Sequence, residues 1–227
     1  MKLLIGLTIS MTLWSSLAFG GMESMVPVPE GCYEENSLTY CVRNNWEKVR
    51  LPGERKKQLI VYVNFYAQLG MDEYSSIEEL EDIFTDFEAW PDYVVNSRNV
   101  RYRYSRTLTP TVIAGGEVIQ HNVSDYEMRR PFGWERIIEK SDYIKLENIA
   151  GSEVSYKFTL DKSFDETRGL KDKIGFIHVS TDEENGVYNI QVNLTVRPNI
   201  NILGDVTAKV TTRGLVDIFK GMFDLDD

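Results

Sequence analysis

The sequence has few of the residue types from which catalytic, metal and cofactor sites are commonly built. Its 227 residues include only two cysteines and two histidines. It contains no Gly-x-Ser-x-Gly nucleophile motif, no His-Glu-x-x-His metal motif, no phosphate-binding loop and no dinucleotide-binding glycine pattern. The chain therefore shows no recognisable catalytic set, and we predict neither a metal site nor a cofactor.

Basic residues are also in deficit. The chain has 25 lysines and arginines against 35 aspartates and glutamates, a formal net charge of −10 at pH 7. Nucleic-acid binding needs a basic surface that displaces counterions, and electrostatic attraction to anionic lipid headgroups needs positive charge too. The charge balance argues against nucleic acid as a partner and against membrane docking by charge alone, while transient contact with a membrane stays open.

Long hydrophobic runs are missing after the first twenty residues. The chain starts with Lys2, an apolar stretch over residues 3–17 and small residues at Ala18 and Gly20, which is the order of a secretory signal peptide. The stretch is interrupted by Ser and Thr and is short for a membrane span. We predict that residues 1–20 are a cleaved signal peptide and that the mature protein is a soluble, periplasmic or secreted monomer.

The two cysteines lie in a segment, residues 21–56, whose composition differs from that of the rest of the chain. In an exported protein an isolated pair of cysteines most often forms a disulfide. We predict an N-terminal extension over this segment, with a Cys32–Cys41 disulfide that clasps a short hairpin. A redox or metal pair is the alternative, but the spacing is not Cys-x-x-Cys.

Most of the remaining chain alternates between apolar and polar residues with a period of two. The alternation covers residues 99–106, 153–160, 174–180 and 187–196, while residues 57–67 are predicted to be a first strand with two fairly apolar faces. This pattern is typical of antiparallel strands with one wet face. It predicts a sheet, and in the first of the alternating segments it places Val100, Tyr102 and Tyr104 on one face.

Two segments show helical spacing instead. In residues 75–95, Ser75 lies three residues before Glu78 and Ser76 three before Glu79, so either pair can form a capping box, and apolar residues then recur every three or four positions. Trp90-Pro91 is predicted to end this helix, with the Trp90 ring packed under the sheet. Residues 202–223 are predicted to form a long terminal helix, in which Gly214 permits a bend or a close approach to the sheet.

The first helical segment carries the sequence F-x-D-F-x-x-W-P-x-Y-V. Its matching residues are Phe84, Asp86, Phe87, Trp90, Pro91, Tyr93 and Val94. Placed between a strand and a long antiparallel meander, this segment resembles the START-like superfamily, which includes lipid-transfer domains, coenzyme Q-binding proteins and polyketide cyclases. The resemblance covers residues 57–227. It implies an α+β helix-grip fold, in which a curved antiparallel sheet grips a long C-terminal helix and two short helices follow the first strand.

The resemblance also implies a ligand site between the sheet and the C-terminal helix. We predict an exported protein that binds a hydrophobic small molecule, such as a lipid or an isoprenoid-like compound. We do not expect it to be a catalyst. The side chains expected to contact the ligand are those on the apolar faces of the late strands and of the terminal helix: Tyr156, Phe158, Phe176, His178, Ile190, Val192, Leu194, Val206, Val210 and Leu215.

Three alternatives stay open at this point. An enzyme of the cyclase or hydrolase type would need an acid–base pair inside the same cavity, with His178 and Tyr156 as the first candidates. The apolar residues could instead fill the core and leave no cavity. A protein-interaction module would combine a filled core with a partner surface on the cysteine-clasped extension.

Overall fold

The structure is a computed structural model that describes residues 31–35, 38–114, 117–130, 133–146, 151–199 and 204–223. The predicted signal peptide lies outside the described residues and stays a prediction. From Gly31 onward the chain forms one compact unit. No helix within the described ranges combines the length and hydropathy that crossing a membrane requires.

Nine antiparallel strands form a single sheet in the order β1-β2-β3-β9-β8-β7-β6-β5-β4. The strands are β1 Cys32–Glu35, β2 Leu38–Val49, β3 Gln58–Gly70, β4 Val100–Ala114, β5 Glu117–Arg130, β6 Gly133–Lys145, β7 Glu153–Leu160, β8 Leu170–Asp182 and β9 Val187–Pro198. The alternation in the sequence therefore predicted the antiparallel sheet correctly. Strand β3, from the first part of the chain, pairs with β9, the last strand, in the interior of the sheet.

The predicted N-terminal extension is part of this sheet. Strand β2 pairs with β3 along most of its length, so a boundary at residue 56 falls inside one structural unit. The strand is hard to recognise because Arg43, Asn44 and Asn45 interrupt its apolar alternation. Cys32 of β1 lies opposite Cys41 of β2 with a Cα–Cα distance of 4.1 Å, and the predicted disulfide between them is present.

Three helices accompany the sheet: α1 Ile77–Thr85, α2 Trp90–Tyr93 and α3 Gly204–Met222. Ser76 is the N-cap of α1, and its hydroxyl accepts a hydrogen bond from the Glu79 amide at 3.3 Å. The Glu79 carboxylate accepts reciprocally from the backbone and hydroxyl of Ser75, at 2.7 Å each. The capping signal in the sequence therefore located the start of α1.

The end of α1 was predicted wrongly. The helix ends at Thr85, and Trp90-Pro91 begins α2 instead of closing α1. Proline suits this position because the first turn of a helix contains amide groups that have no intrahelical partner.

Helix α3 crosses the concave face of the sheet and is gripped at both ends. Its first residue, Gly204, lies against the Trp46 ring of β2, where a Cβ would come within 2.1 Å of the indole. Near its other end, Phe219 stacks on Phe65 of β3 at a ring-centroid distance of 4.5 Å and also contacts Phe84 of α1. The long terminal helix and its position over the sheet are as predicted.

The middle of α3 faces β4 and β5. A Cβ at Gly214 would lie 2.7 Å from Met128 and 2.9 Å from Val100, so this glycine permits the close approach that its position in the sequence suggested. Close to it, β4 contains a bulge after Tyr102. The bulge turns Tyr104 outward and brings Ser105 to the buried face, so the prediction that Tyr104 shares a face with Val100 is wrong.

Candidate functional site

A cavity of about 110 Å³ lies between the concave face of the sheet and α3. The sheet contributes residues of β4, β5, β6, β7, β8 and β9, and the helices close it from the opposite side. Most of its lining is apolar: Phe84, Val100, Met128, Ile137, Phe158, Leu170, Ile177, Val192, Leu194, Val196, Pro198, Leu215, Ile218, Phe219 and Met222. This composition is that of pockets that bind apolar or amphipathic molecules.

Aromatic rings form one wall of the cavity. Tyr102 of β4 stacks on Tyr126 of β5 at 5.1 Å, and Tyr143 of β6 stacks on Phe158 of β7 at 5.4 Å. Trp90 of α2 meets the rings of Tyr102 and Tyr143 edge-on at 6.5 and 6.4 Å. Trp90 is half-buried, so it contributes to the cavity wall in addition to the packing role predicted for it.

One ion pair is buried within this apolar lining. The Lys173 ammonium of β8 donates to Glu139 Oε1 of β6 at 2.7 Å, and the two side chains are only 10% and 8% exposed. The Tyr126 hydroxyl donates to the same carboxylate oxygen at 3.4 Å. Both charges point inward because they occupy inner-face positions of their strands, and their pairing offsets the desolvation that burial imposes on each.

The tyrosines around Glu139 stay protonated. Burial raises the pKa of Tyr102, Tyr126 and Tyr143 well above the usual value of 10.0, and the adjacent Glu139 carboxylate raises it further. These hydroxyl groups therefore act as neutral hydrogen-bond donors at physiological pH.

Three side chains that line the cavity each carry a buried polar atom with no hydrogen-bond partner among the described residues. These atoms are Trp90 Nε1, Glu139 Oε2 and Arg130 Nη1. Leaving such a group unpaired costs about 1–3 kcal/mol, and most buried polar groups are satisfied. Two donors and one acceptor are thus available to polar groups of a molecule in the cavity.

Four of the ten predicted ligand-contacting residues line the cavity: Phe158, Val192, Leu194 and Leu215. Ile190 and Val210 pack into the hydrophobic core and do not line it. The half-buried Val206 of α3 is not part of the lining either. The Tyr156 hydroxyl donates to Glu81 of α1 instead, and burial followed by Glu81 raises its pKa. Ligand contact by the four lining residues stays a prediction.

The prediction that Phe176 and His178 face the cavity is wrong. Their neighbours Ile177 and Val179 are the buried residues of β8, so Phe176 and His178 lie on the outer face of the sheet. There His178 Nδ1 is 2.8 Å from the Ser155 hydroxyl. His178 and Tyr156 are therefore not brought together as an acid–base pair.

Sequence reasoning missed the polar members of the site, Glu139 and Lys173, and the tyrosine at position 126. Each lies in a strand whose alternation is weak, and a charged residue in such a strand is normally assigned to the wet face. The signal that could have found them is opposite charge on inner-face positions of two strands of one sheet. Within the described residues no group of three or more His, Cys, Asp or Glu is placed to hold a metal ion.

Comparison with known proteins places this architecture among START-like folds. No family model matches the chain, and no curated protein matches it in sequence. Among solved structures, human STARD10 is similar with a TM-score of 0.53 and 12% sequence identity, covering 93% of this chain and 78% of that one. The lipid transfer and protein localization domain of human StarD13 (DLC2) is similar with a TM-score of 0.50 and 7% identity, covering 95% and 96%. The chain therefore has the predicted START-like, helix-grip α+β fold.

Proposed function

We propose that this protein is an exported binding protein that holds a hydrophobic or amphipathic ligand, lipid-like or isoprenoid-like in character, between the sheet and α3, and that it is not an enzyme. The observation that carries the proposal is the cavity itself, with its apolar lining and its three buried polar atoms that have no described partner. An apolar chain would contact the aliphatic and aromatic lining. A polar head would meet Trp90, Glu139 and Arg130.

The size of the cavity limits what it can hold as it stands. Sites that bury a drug-sized ligand measure about 300–1,000 Å³, whereas this one measures about 110 Å³. A small apolar group or one segment of a longer chain fits this space, and a whole lipid requires α3 to move. Because α3 covers the cavity on the side opposite the sheet, through Leu215, Ile218 and Met222, we expect a larger ligand to displace this helix from the sheet.

Two further observations support the proposal. The similar StarD13 domain is described as a lipid transfer domain, and transfer requires that the lipid be bound in transit. The Cys32–Cys41 disulfide is consistent with export, because disulfides persist in oxidising compartments. Together with the signal peptide expected at residues 1–20, it supports a periplasmic or secreted location.

An enzyme of the cyclase or hydrolase type is the second candidate. It is favoured by one observation, the buried Glu139 carboxylate with a free oxygen beside the protonated Tyr126 hydroxyl. Glu139→Gln separates the two candidates. A binding protein would release a cyclisable or hydrolysable substrate unchanged with or without this substitution, whereas an acid–base enzyme would turn the substrate over and lose that turnover in the variant.

The binding function is tested by asking what the protein carries. Organic extraction and mass spectrometry of protein purified from its native host should recover a hydrophobic compound. Leu215→Trp, which fills the cavity, should abolish both this co-purification and the fluorescence enhancement of 1-anilinonaphthalene-8-sulfonate. Ile174→Trp is the matched control because it adds the same ring on the outer face, where the side chain is 39% exposed. Equal dye binding by the two variants would contradict the proposal.

A further inference from the structure

A second pocket, of about 390 Å³, lies at the end of the sheet where β5 turns into β6. Four arginines line it, Arg98, Arg101, Arg129 and Arg130, together with Ser97, Gly133 and Trp134. This pocket, the arginine pocket, is conspicuous on a chain whose net charge is −10. Four guanidinium groups facing one space repel one another unless an anion joins them.

The carboxylates nearby do not neutralise these arginines. Glu135 pairs with Arg130 alone, through Nε and Nη2 at 2.5 Å. Asp217 of α3 accepts hydrogen bonds from Ser97 and Asn99. In the described part of the chain, Arg98, Arg101 and Arg129 form no ion pair. Three positive charges are thus left for an external partner.

The arginine pocket is held in shape by its surroundings. The Arg101 guanidinium stacks over the Trp134 ring at 4.0 Å, which orients its N–H groups. The Arg129 amide donates to the Asn99 carbonyl at 2.9 Å, and the Ser97 hydroxyl accepts from the Val100 amide at 2.9 Å. Asp217 ties this segment to α3. Several planar guanidinium groups around one space can each donate to two oxygens, which suits the tetrahedral, multi-oxygen geometry of phosphate.

The arginine pocket and the apolar cavity share a wall. Arg130 lines both, and its Nη1 atom is buried without a hydrogen-bond partner among the described residues. We propose that the arginine pocket binds a phosphate-type oxyanion, and that this oxyanion is the head group of an anionic amphiphile whose apolar chain enters the cavity. The second half of this proposal rests on the proposed function, whereas the oxyanion site does not.

Two indole groups allow the two halves to be measured separately. Trp134 reports on the arginine pocket and Trp90 on the cavity, while Trp46, whose indole donates to Asp205 at 2.6 Å, serves as an internal reference. The ¹⁵N-labelled full chain is titrated with inorganic phosphate, hexyl phosphate and hexanol, and the indole N–H resonances are followed. Ionic strength is held constant with NaCl, because salt screens the arginines.

The proposal predicts a distinct result for each probe. Phosphate should shift Trp134 alone, hexanol should shift Trp90 alone, and hexyl phosphate should shift both and bind at least about tenfold more tightly than phosphate, a difference of about 1.4 kcal/mol. Equal affinity for phosphate and hexyl phosphate would support the oxyanion site but indicate that it binds free phosphate. That result would overturn the proposal that the oxyanion is the head group of an amphiphile. If hexanol does not shift the Trp90 resonance, the proposed binding function of the cavity is overturned. The phosphate titration, followed at Trp134, would still test the arginine pocket by itself.

Matched double variants connect the binding to the arginines. Arg98→Gln with Arg129→Gln removes two exposed, unpaired charges, so folding should be unaffected, and phosphate affinity should fall at least about tenfold. Arg50→Gln with Arg55→Gln removes the same charge from exposed residues between β2 and β3 that do not line the arginine pocket and form no ion pair in the described part of the chain. An equal loss in both double variants, or no shift of Trp134 with either phosphate probe, would overturn the site.

Discussion

The inner faces of β3 and β6 are buried to a similar degree but differ in chemistry. On β3 every inner residue is apolar and at most 1% exposed: Leu59, Val61, Val63, Phe65, Ala67 and Leu69. On β6 two of the four buried inner residues are polar, Glu139 and Ser141, and they lie between Ile137 and Tyr143. One sheet thus has an apolar half that holds α3 by packing and a polar half that lines the cavity.

The difference shows how one fold combines stability with a binding site. Around β3 the rings of Phe65, Phe84 and Phe219 interlock through apolar contacts. Around β6 the buried groups must satisfy each other, as Lys173 and Glu139 do, and a gap remains where pairing is incomplete. The first half thus stabilises the fold by apolar packing, whereas the second half depends on paired charges and supplies the polar groups beside the cavity.

The largest effect is expected from breaking the buried ion pair. Lys173→Met should destabilise the protein by about 3–5 kcal/mol, because it leaves the Glu139 charge buried and uncompensated. Adding Glu139→Leu should restore most of the loss, since an apolar pair of similar volume needs no compensation. Urea unfolding measures both. A double variant as unstable as the single one would show that the pair does more than satisfy its own charges.

A similar loss on the apolar half should have no such rescue, and it should exceed the loss at the cavity wall. Phe65→Ala should cost about 3–5 kcal/mol, the range for a ring removed from a packed core. Trp90→Ala should cost about 1–3 kcal/mol, since its ring is half-buried and already borders empty space. The free energies of unfolding of the two variants show which loss is larger. A greater loss for Trp90→Ala than for Phe65→Ala would mean that Trp90 is the main packing residue of the two.

Two glycines of α3 allow the packed end of the helix and the part beside the cavity to be compared by adding a single methyl group to each. A Cβ at Gly221 would lie 1.5 Å from the Tyr93 carbonyl oxygen, whereas one at Gly214 would meet only side-chain methyl groups beside the cavity, the flexible end of Met128 at 2.7 Å and the stiffer Val100 at 2.9 Å. Alanine favours a helix over glycine by up to about 1 kcal/mol. Gly221→Ala should nevertheless destabilise by about 1–3 kcal/mol, while Gly214→Ala should change stability by less than about 1 kcal/mol. Similar unfolding midpoints would contradict this contrast.

The same contrast explains what could be predicted from the sequence. Strand β3 is a long apolar run, the capping residues of α1 are local, and α3 has helical periodicity, so these elements were predictable. On β6 the alternation is misleading, because the inner Glu139 resembles a surface residue and the outer Ile138 resembles a core residue. The polar half of the site was therefore invisible to a pattern of hydrophobicity.

Strand β8 failed for a related reason. Its inner position 175 is glycine because the Phe158 ring occupies the space, and a Cβ there would lie 2.1 Å from the ring. The outer face carries Ile174 and Phe176, so the apolar pattern favoured the wrong face as the inner one. His178 shares that face and was therefore also predicted wrongly to point inward. The bulge after Tyr102 shifted β4 in the same way. Face assignments depend on such tertiary contacts, which a single sequence does not contain.

The smallest loss of stability is expected on the outer face of β6, where an ion pair can be compared with the buried pair on the inner face. Lys140, next to Glu139 but on the outer face, pairs with Asp161 at 2.9 Å. Hydrogen bonds from Ser163 and then Lys140 lower the pKa of Asp161 to about 2, against an ordinary value of 3.8. A lowered carboxyl pKa means that the native state holds the proton less tightly than the unfolded state. The contribution of Asp161 is therefore complete above its unfolded pKa and is lost as the pH falls towards 2.

Asp161→Asn should thus reduce stability at pH 7 by about 1 kcal/mol, the upper end of the range for surface pairs, because the Lys140 and Asp161 side chains are 21% and 15% exposed. The difference from the wild type should shrink as the pH falls below 4 and vanish near the lowered pKa of about 2. Urea unfolding of both proteins between pH 7 and pH 2 measures this convergence. Asp165→Asn, which removes an exposed carboxylate from the same turn, is the matched control. A loss as large as that of Lys173→Met would mean that the outer face of β6 is as strongly coupled to the fold as the inner one.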